Sequence, residues 1–155
     1  MNELTSLDNK IKVKPYSPNL GGVVTGVDLS KEISGTELAF IKDAFNQYQV
    51  LFFQEQSEIP PKIQVNLGKS FGPLHVHPAA PTMEGHPEIF EIHTHKDSKI
   101  SNGSERFHSD VSCDEEPPLG TMLQLHILPE SGGDTMFTNM YMAYDDLSEK
   151  MKEFL

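Results

Sequence analysis

The sequence predicts an α+β chain that is mostly β, with two N-terminal helices packed on a sheet. Three observations carry that reading. Before residue 73, apolar residues twice recur at helical spacing behind a helix-start signal. From Leu74 onward, short apolar or alternating runs are separated by Pro, Gly and Asn-Gly turns. One of those runs carries an imidazole and a carboxylate at positions i and i+2, the strand spacing that puts both on one face.

The elements follow in order. Residues 11–16, Ile-Lys-Val-Lys-Pro-Tyr, alternate like a half-buried strand that ends at Pro15, and Gly21-Gly22 punctuates it before a second short strand at Val23–Val27. Ser34-Gly35-Thr36-Glu37 has capping-box spacing for a helix with Leu38, Ile41, Ala44 and Phe45 on one face. The run Gln49–Phe53 is short enough to be a fully buried core strand. Pro60-Pro61 opens a second helix carrying Ile63, Leu67 and Phe71, with Gly72 as its left-handed stop and Pro73 just beyond.

The β half is expected to hold strands at Glu88–His93, Phe107–Cys113, Gly120–Leu128 and Asp134–Thr138, with turns at Asn102-Gly103 and Gly132-Gly133. A helical stretch from Met140 carries the stripe Ala143, Tyr144, Leu147, Met151 and Phe154. Its periodicity runs into Lys152–Leu155 without a cap, so residues 1–155 read as a single domain that is truncated rather than finished. A fragment with that stripe exposed is expected to be poorly soluble or to need a partner.

At 155 residues the chain is long enough for one domain with a real core. Twelve basic against 23 acidic residues, a formal charge of −11, supply no footprint for a phosphate backbone, so no nucleic-acid partner is expected. No apolar run is long enough to span a bilayer, and Met1–Lys10 is polar, so no membrane partner is expected either. The single Cys113 excludes an intramolecular disulfide and suits a reducing compartment, which predicts a cytoplasmic chain. A homo-oligomer is left open.

The chemistry rests on His108 and Asp110 in Phe107-His108-Ser109-Asp110-Val111. Two such ligands and one further His form the 2-His-1-carboxylate facial triad of non-heme Fe(II) oxygenases. An isolated His-x-Asp is more often a polar pair of structural origin, in a chain with seven His. His86, His93 and His95 read as solvated or turn residues, Asp114–Glu116 as a solvated loop before Pro117-Pro118, and Cys113 as a packed thiol. His77 before Pro78 reads equally as a turn residue or an anion contact, with His75 facing away from it. A Zn hydrolase fits less well, because Zn sites favour more His or Cys and no His-Glu-x-x-His is present.

Motifs spread along the chain lift the pair above that background. Gly21-Gly22, Gly26-Val27-Asp28-Leu29, Val50–Phe53, Phe71-Gly72-Pro73-Leu74-His75-Val76-His77-Pro78, Phe107–Val111 and Pro129-Glu130-Ser131-Gly132-Gly133-Asp134-Thr135 follow one another in the order and spacing of a known family. The chain resembles the N-terminal half of the taurine dioxygenase-like Fe(II)/2-oxoglutarate-dependent dioxygenases.

That resemblance implies a double-stranded β-helix, or jelly roll, with helices supporting one sheet. It implies an enzyme that uses Fe(II), with 2-oxoglutarate and O2 as co-substrates, to hydroxylate a small anionic substrate such as a sulfonate in sulfur metabolism. By position it makes His108 and Asp110 metal ligands, Thr135 the hydroxyl that binds the 2-oxoglutarate carboxylate, and His77, Ser104 and Val111 substrate contacts. Taurine-type members have a Tyr where this chain has Ala80 and an Asn where it has Ser104, so another sulfonate, a sulfate ester or a carboxylate is as plausible as taurine. The family's second His ligand and its 2-oxoglutarate Arg lie beyond the Gly-Gly-Asp-Thr motif. No His follows His126, which itself sits where the family has no ligand. A non-catalytic jelly-roll or cupin-like binding module is the alternative reading.

Overall fold

The computed structural model describes residues 1–8, 10–78, 81–93 and 106–155. The chain divides into two compact units, one of Met1–Val27, Thr36–Gln54 and Ser131–Leu155, the other of Asp28–Gly35 and Glu55–Glu130.

The first unit is built on a four-stranded sheet of β1 (Leu4–Thr5), β2 (Lys12–Pro15), β3 (Gly22–Thr25) and β4 (Leu51–Phe53), in that spatial order. β1, β2 and β3 pair antiparallel, with Val13 opposite Val24, whereas β4 runs parallel to β3 with Phe52 opposite Val23. A parallel pair needs a crossover, and helix α1 (Gly35–Tyr48) supplies it. Ile41, Ala44 and Tyr48, at i, i+3 and i+7, are its buried face, and Ala44 and Tyr48 join Ile11, Val13 and Val24 in the core.

Tyr48 is fully buried, and its hydroxyl donates to the carbonyl of Asn2 and, at 3.5 Å, to that of Val13. Burial, with the Glu3 carboxylate adding to it, raises the phenol's pKa. Space for this ring exists because residue 22 has no side chain: a Cβ there would lie 2.6 Å from Val13 Cγ1 and 2.9 Å from Tyr48 Cγ. The helix ends when Gln49 turns left-handed at φ 64, its N–H donating to the Phe45 carbonyl at 2.7 Å. Gly21 N–H then donates to Tyr48 O and Gly22 N–H to Val50 O, both at 2.9 Å, tying the helix exit to the β2–β3 turn. The expected strand therefore starts two residues late. As a sheet edge it is half-buried, not fully buried, with Tyr16 and Phe137 rings packed on Phe52 at 5.0 and 6.3 Å. The polar start of the chain also hid β1.

In the second unit, α2 (Pro61–Lys69) has Pro at its first position and buries Val65. It ends earlier than the sequence suggests. Ser70 remains right-handed and its hydroxyl donates to the Leu67 carbonyl at 2.5 Å, so this local bond, not Gly72, closes the helix. A hairpin of β5 (Thr82–Met83) and β6 (His86–Phe90) follows, in place of a strand reaching His93. Asp28 organises its own turn by accepting from the Ser30 amide (3.0 Å), the Ser30 hydroxyl (2.6 Å) and Lys31 Nζ (2.8 Å). The Lys31 ammonium first and then the Ser30 donors lower its carboxyl from the usual 3.8 to about 2.

The C-terminal helical stretch is two short helices, α3 (Met140–Asp145) and α4 (Glu149–Phe154). Ser148 breaks it by adopting an extended backbone and accepting from Met151 N–H at 3.3 Å, as Asn139 does from Met142 N–H at 3.1 Å. Tyr144, Met151 and Phe154 are exposed. The expected strands 107–113, 120–128 and 134–138 are irregular, and Leu123, Leu125 and Ile127 are exposed. A strand is held by a ladder partner, and among the described residues these runs have none. What is formed is a mixed helix–sheet fold, without a closed jelly roll among the described residues. Residues 94–105, with His95, the Asn102-Gly103 turn and Ser104, lie outside the described residues, as does Ala80.

Gly22→Ala should lower the unfolding free energy by about 1–3 kcal/mol through overpacking. Gly35→Ala, where a Cβ meets nothing within 4 Å, should not lower it; denaturant melts compare the two. The depressed Asp28 carboxyl stabilises its turn at pH above 3.8, and that contribution is lost as pH falls toward about 2. An NMR titration should find its midpoint near 2, moving back up in Lys31→Ala.

Candidate metal centre

His108 and Asp110 meet: Nε2 of the imidazole stands 3.2 Å from Oδ1 of the carboxylate. The expected strand is absent, and a turn begins at Asp110. Asp110 enters a reversal in which Val111 is left-handed at φ 52 and Asp114 N–H donates to the Val111 carbonyl at 3.1 Å. Such a backbone is rare for a β-branched residue and costs roughly 1–2 kcal/mol.

Both side chains are about half exposed, 55% and 52%. An exposed ion pair contributes only about 0–1 kcal/mol. Other bonds therefore have to hold the arrangement. His108 Nδ1 lies 2.8 Å from the Arg106 carbonyl, which can only accept, so Nδ1 carries a proton and Nε2 is the ring nitrogen turned to Asp110. Asp110 Oδ2 accepts from the Thr121 hydroxyl at 2.7 Å, leaving Oδ1 turned to His108. At this distance Nε2 and Oδ1 can share either a proton, as an ion pair of the protonated ring, or a metal ion. Donor atoms about 2.1 Å from a metal stand about 3.0 Å apart at adjacent octahedral corners and about 3.4 Å apart in a tetrahedron, so the 3.2 Å spacing fits a shared metal ion. No cluster of three His, Cys, Asp or Glu suited to a metal occurs among the described residues. His126 is exposed in an irregular segment.

The same turn is fastened by Asp114, whose Oδ2 lies 3.5 Å from Nδ1 of half-buried His75. His75 does not face away from His77: their rings meet edge to face at 6.3 Å, and His77 tilts over Phe90 at 6.0 Å. Nε2 of His75 is buried without a partner among the described residues. His77 is exposed, and Val111 is half-buried at the turn itself. Thr135 belongs to the first unit, in an exposed extended run behind two left-handed glycines, Gly132 and Gly133, both at φ 75. Sequence reasoning missed Thr121, Asp114 and the Arg106 carbonyl. Nothing in the spacing signals them, because each acts through a turn whose path the sequence pattern does not reveal.

The candidate site is a His-x-Asp pair on a mixed helix–sheet chain, its two facing atoms spaced as ligands of one cation would be. The chain belongs to the "Taurine catabolism dioxygenase TauD, TfdA family", whose model matches residues 12–155. It is 31% identical over 145 residues to the alkylsulfatase of Acinetobacter baylyi, covering 94% of this chain and 44% of that protein. It is 27% identical over 144 residues to an alpha-ketoglutarate-dependent sulfate ester dioxygenase of Pseudomonas putida, covering 93% and 46%. Among solved structures, a taurine dioxygenase from Burkholderia xenovorans superposes with a TM-score of 0.75 at 31% identity, covering 94% of this chain and 50% of that one. The chain thus spans about half the length of the relatives it matches.

Val111→Asn, which tolerates the left-handed backbone, should unfold at no lower denaturant concentration than the parent and be up to about 1 kcal/mol more stable. Val111→Ile keeps the strain and should bring no gain in the same melts.

Proposed function

We propose that residues 1–155 are the N-terminal part of an Fe(II)- and 2-oxoglutarate-dependent dioxygenase that hydroxylates an alkyl sulfate ester or a related sulfonate, releasing succinate and CO2. The observation that carries the reading is the apposition of His108 Nε2 and Asp110 Oδ1 at 3.2 Å with His108 Nδ1 already committed, in a chain of this family. His108 and Asp110 hold the metal, and a His and an Arg from the remainder of a longer polypeptide complete the site. Bound iron would supply activation of O2 and oxidation of an unactivated C–H bond.

The protein's own residues orient and exclude. Thr135, held after the Gly132-Gly133 turn, donates its hydroxyl to a 2-oxoglutarate carboxylate. His77, with its ring on Phe90, donates to the anionic end of the substrate, and Val111 and Ser104 are taken as substrate contacts from the family pattern. The names of the Acinetobacter and Pseudomonas relatives favour a sulfate ester. Ala80 and Ser104, in place of a phenol and a longer amide, favour a substrate bulkier than taurine. Hydroxylation at the carbon bearing the ester oxygen gives a product that collapses to an aldehyde and sulfate. In the complete protein the extended runs 120–128 and 134–138 gain ladder partners and become strands of a double-stranded β-helix, covering Leu123, Leu125 and Ile127.

Adding Fe(II) and then 2-oxoglutarate anaerobically to the complete polypeptide should produce a visible charge-transfer band that His108→Ala and Asp110→Ala abolish. With O2 and an alkyl sulfate, succinate and sulfate should form in equal amounts. A complete protein showing neither band nor turnover would sink the assignment.

A further inference from the structure

The hydrogen bond from Thr121 to the metal-facing carboxylate joins two segments that no motif connects. Thr121 Oγ1 donates to Asp110 Oδ2 at 2.7 Å across the loop that contains Pro117-Pro118. Thr121 shares its run with an anchored residue. Three residues on, the Gln124 side chain clamps the lead-in to α2, its Oε1 accepting from the Ile59 amide at 3.2 Å and its Nε2 donating to the Ser57 carbonyl at 3.3 Å. Ile59 is buried, so the clamp is attached to packed structure rather than to a mobile surface. A half-exposed carboxylate turns freely about its last torsion, whose preference is broad and two-fold. A fixed donor on one oxygen selects one orientation and points the other oxygen at His108 Nε2.

We infer that Thr121 is a positioning residue for the metal: through Asp110 Oδ2 it presets the carboxylate so that Oδ1 and His108 Nε2 face one cation together. The inference rests on the metal reading of the pair. Hydrogen-bonding partners of ligating carboxylates commonly govern metal affinity by about 10–100-fold. Thr121→Val preserves shape and removes the donor, whereas Thr121→Ser keeps the hydroxyl.

The test uses the complete polypeptide and Mn(II), with free Mn(II) read by its EPR signal. Thr121→Val should weaken Mn(II) binding about 10-fold or more, and Thr121→Ser should bind within about threefold of the parent. The metal-free unfolding midpoint should be the same in all three. Equal binding by Thr121→Val and the parent overturns the inference, as does a serine variant as weak as valine or a metal-free midpoint that falls in step with affinity. If the valine variant does not fold, Thr121→Ala replaces it with the same outcomes. His108→Ala separates the two readings. If it binds Mn(II) as tightly as the parent, the metal site itself is wrong; if it loses binding while Thr121→Val keeps it, only the role of Thr121 falls.

Discussion

Nε2 of His108 and Oδ1 of Asp110, held 3.2 Å apart, are the contact on which the candidate site depends. In water such a pair has little reason to persist, because an exposed contact of this kind contributes at most about 1 kcal/mol. It persists because each partner is tied elsewhere, the imidazole to the Arg106 carbonyl and the carboxylate to the Thr121 hydroxyl. The left-handed Val111 costs energy that a relaxed turn would not.

The sheet unit rests on a different constraint, the close approach of the Tyr48 ring to residue 22. The bonds from Gly21 and Gly22 to the Tyr48 and Val50 carbonyls fix where α1 ends, and therefore where β4 enters beside β3. The helix end and the parallel register are thus one event. In the second unit the same economy is seen around Gln124, whose amide uses both ends to bind the approach to α2 while its neighbour Thr121 reaches the carboxylate.

Much of the first 72 residues was legible. Helical spacing at Ile41 and Ala44, the prolines before α2 and the paired glycines each act through nearest neighbours in the chain, so a sequence pattern reports them directly. Boundaries were less legible, because Gln49 and Ser70 end their helices by backbone bonds that many residue types permit. The runs after residue 106 misled the reading most. Their alternation is sound strand chemistry, yet a strand exists only when another backbone pairs with it, and no ladder partner stands beside 107–113, 120–128 or 134–138 among the described residues.

By itself the sequence singled out His108, Asp110 and Thr135 as candidates and carried a family order of motifs that the comparison with known proteins bears out. Only the tertiary structure decided how the ligands converge. The pair lies beside a turn rather than in a strand, and Thr121 and His75 reach Asp110 and Asp114 from outside that turn. The physical reason is range. Residue type and spacing encode local torsion and periodicity, while the orientation of a single carboxylate depends on which distant donor the folded chain brings within hydrogen-bonding distance.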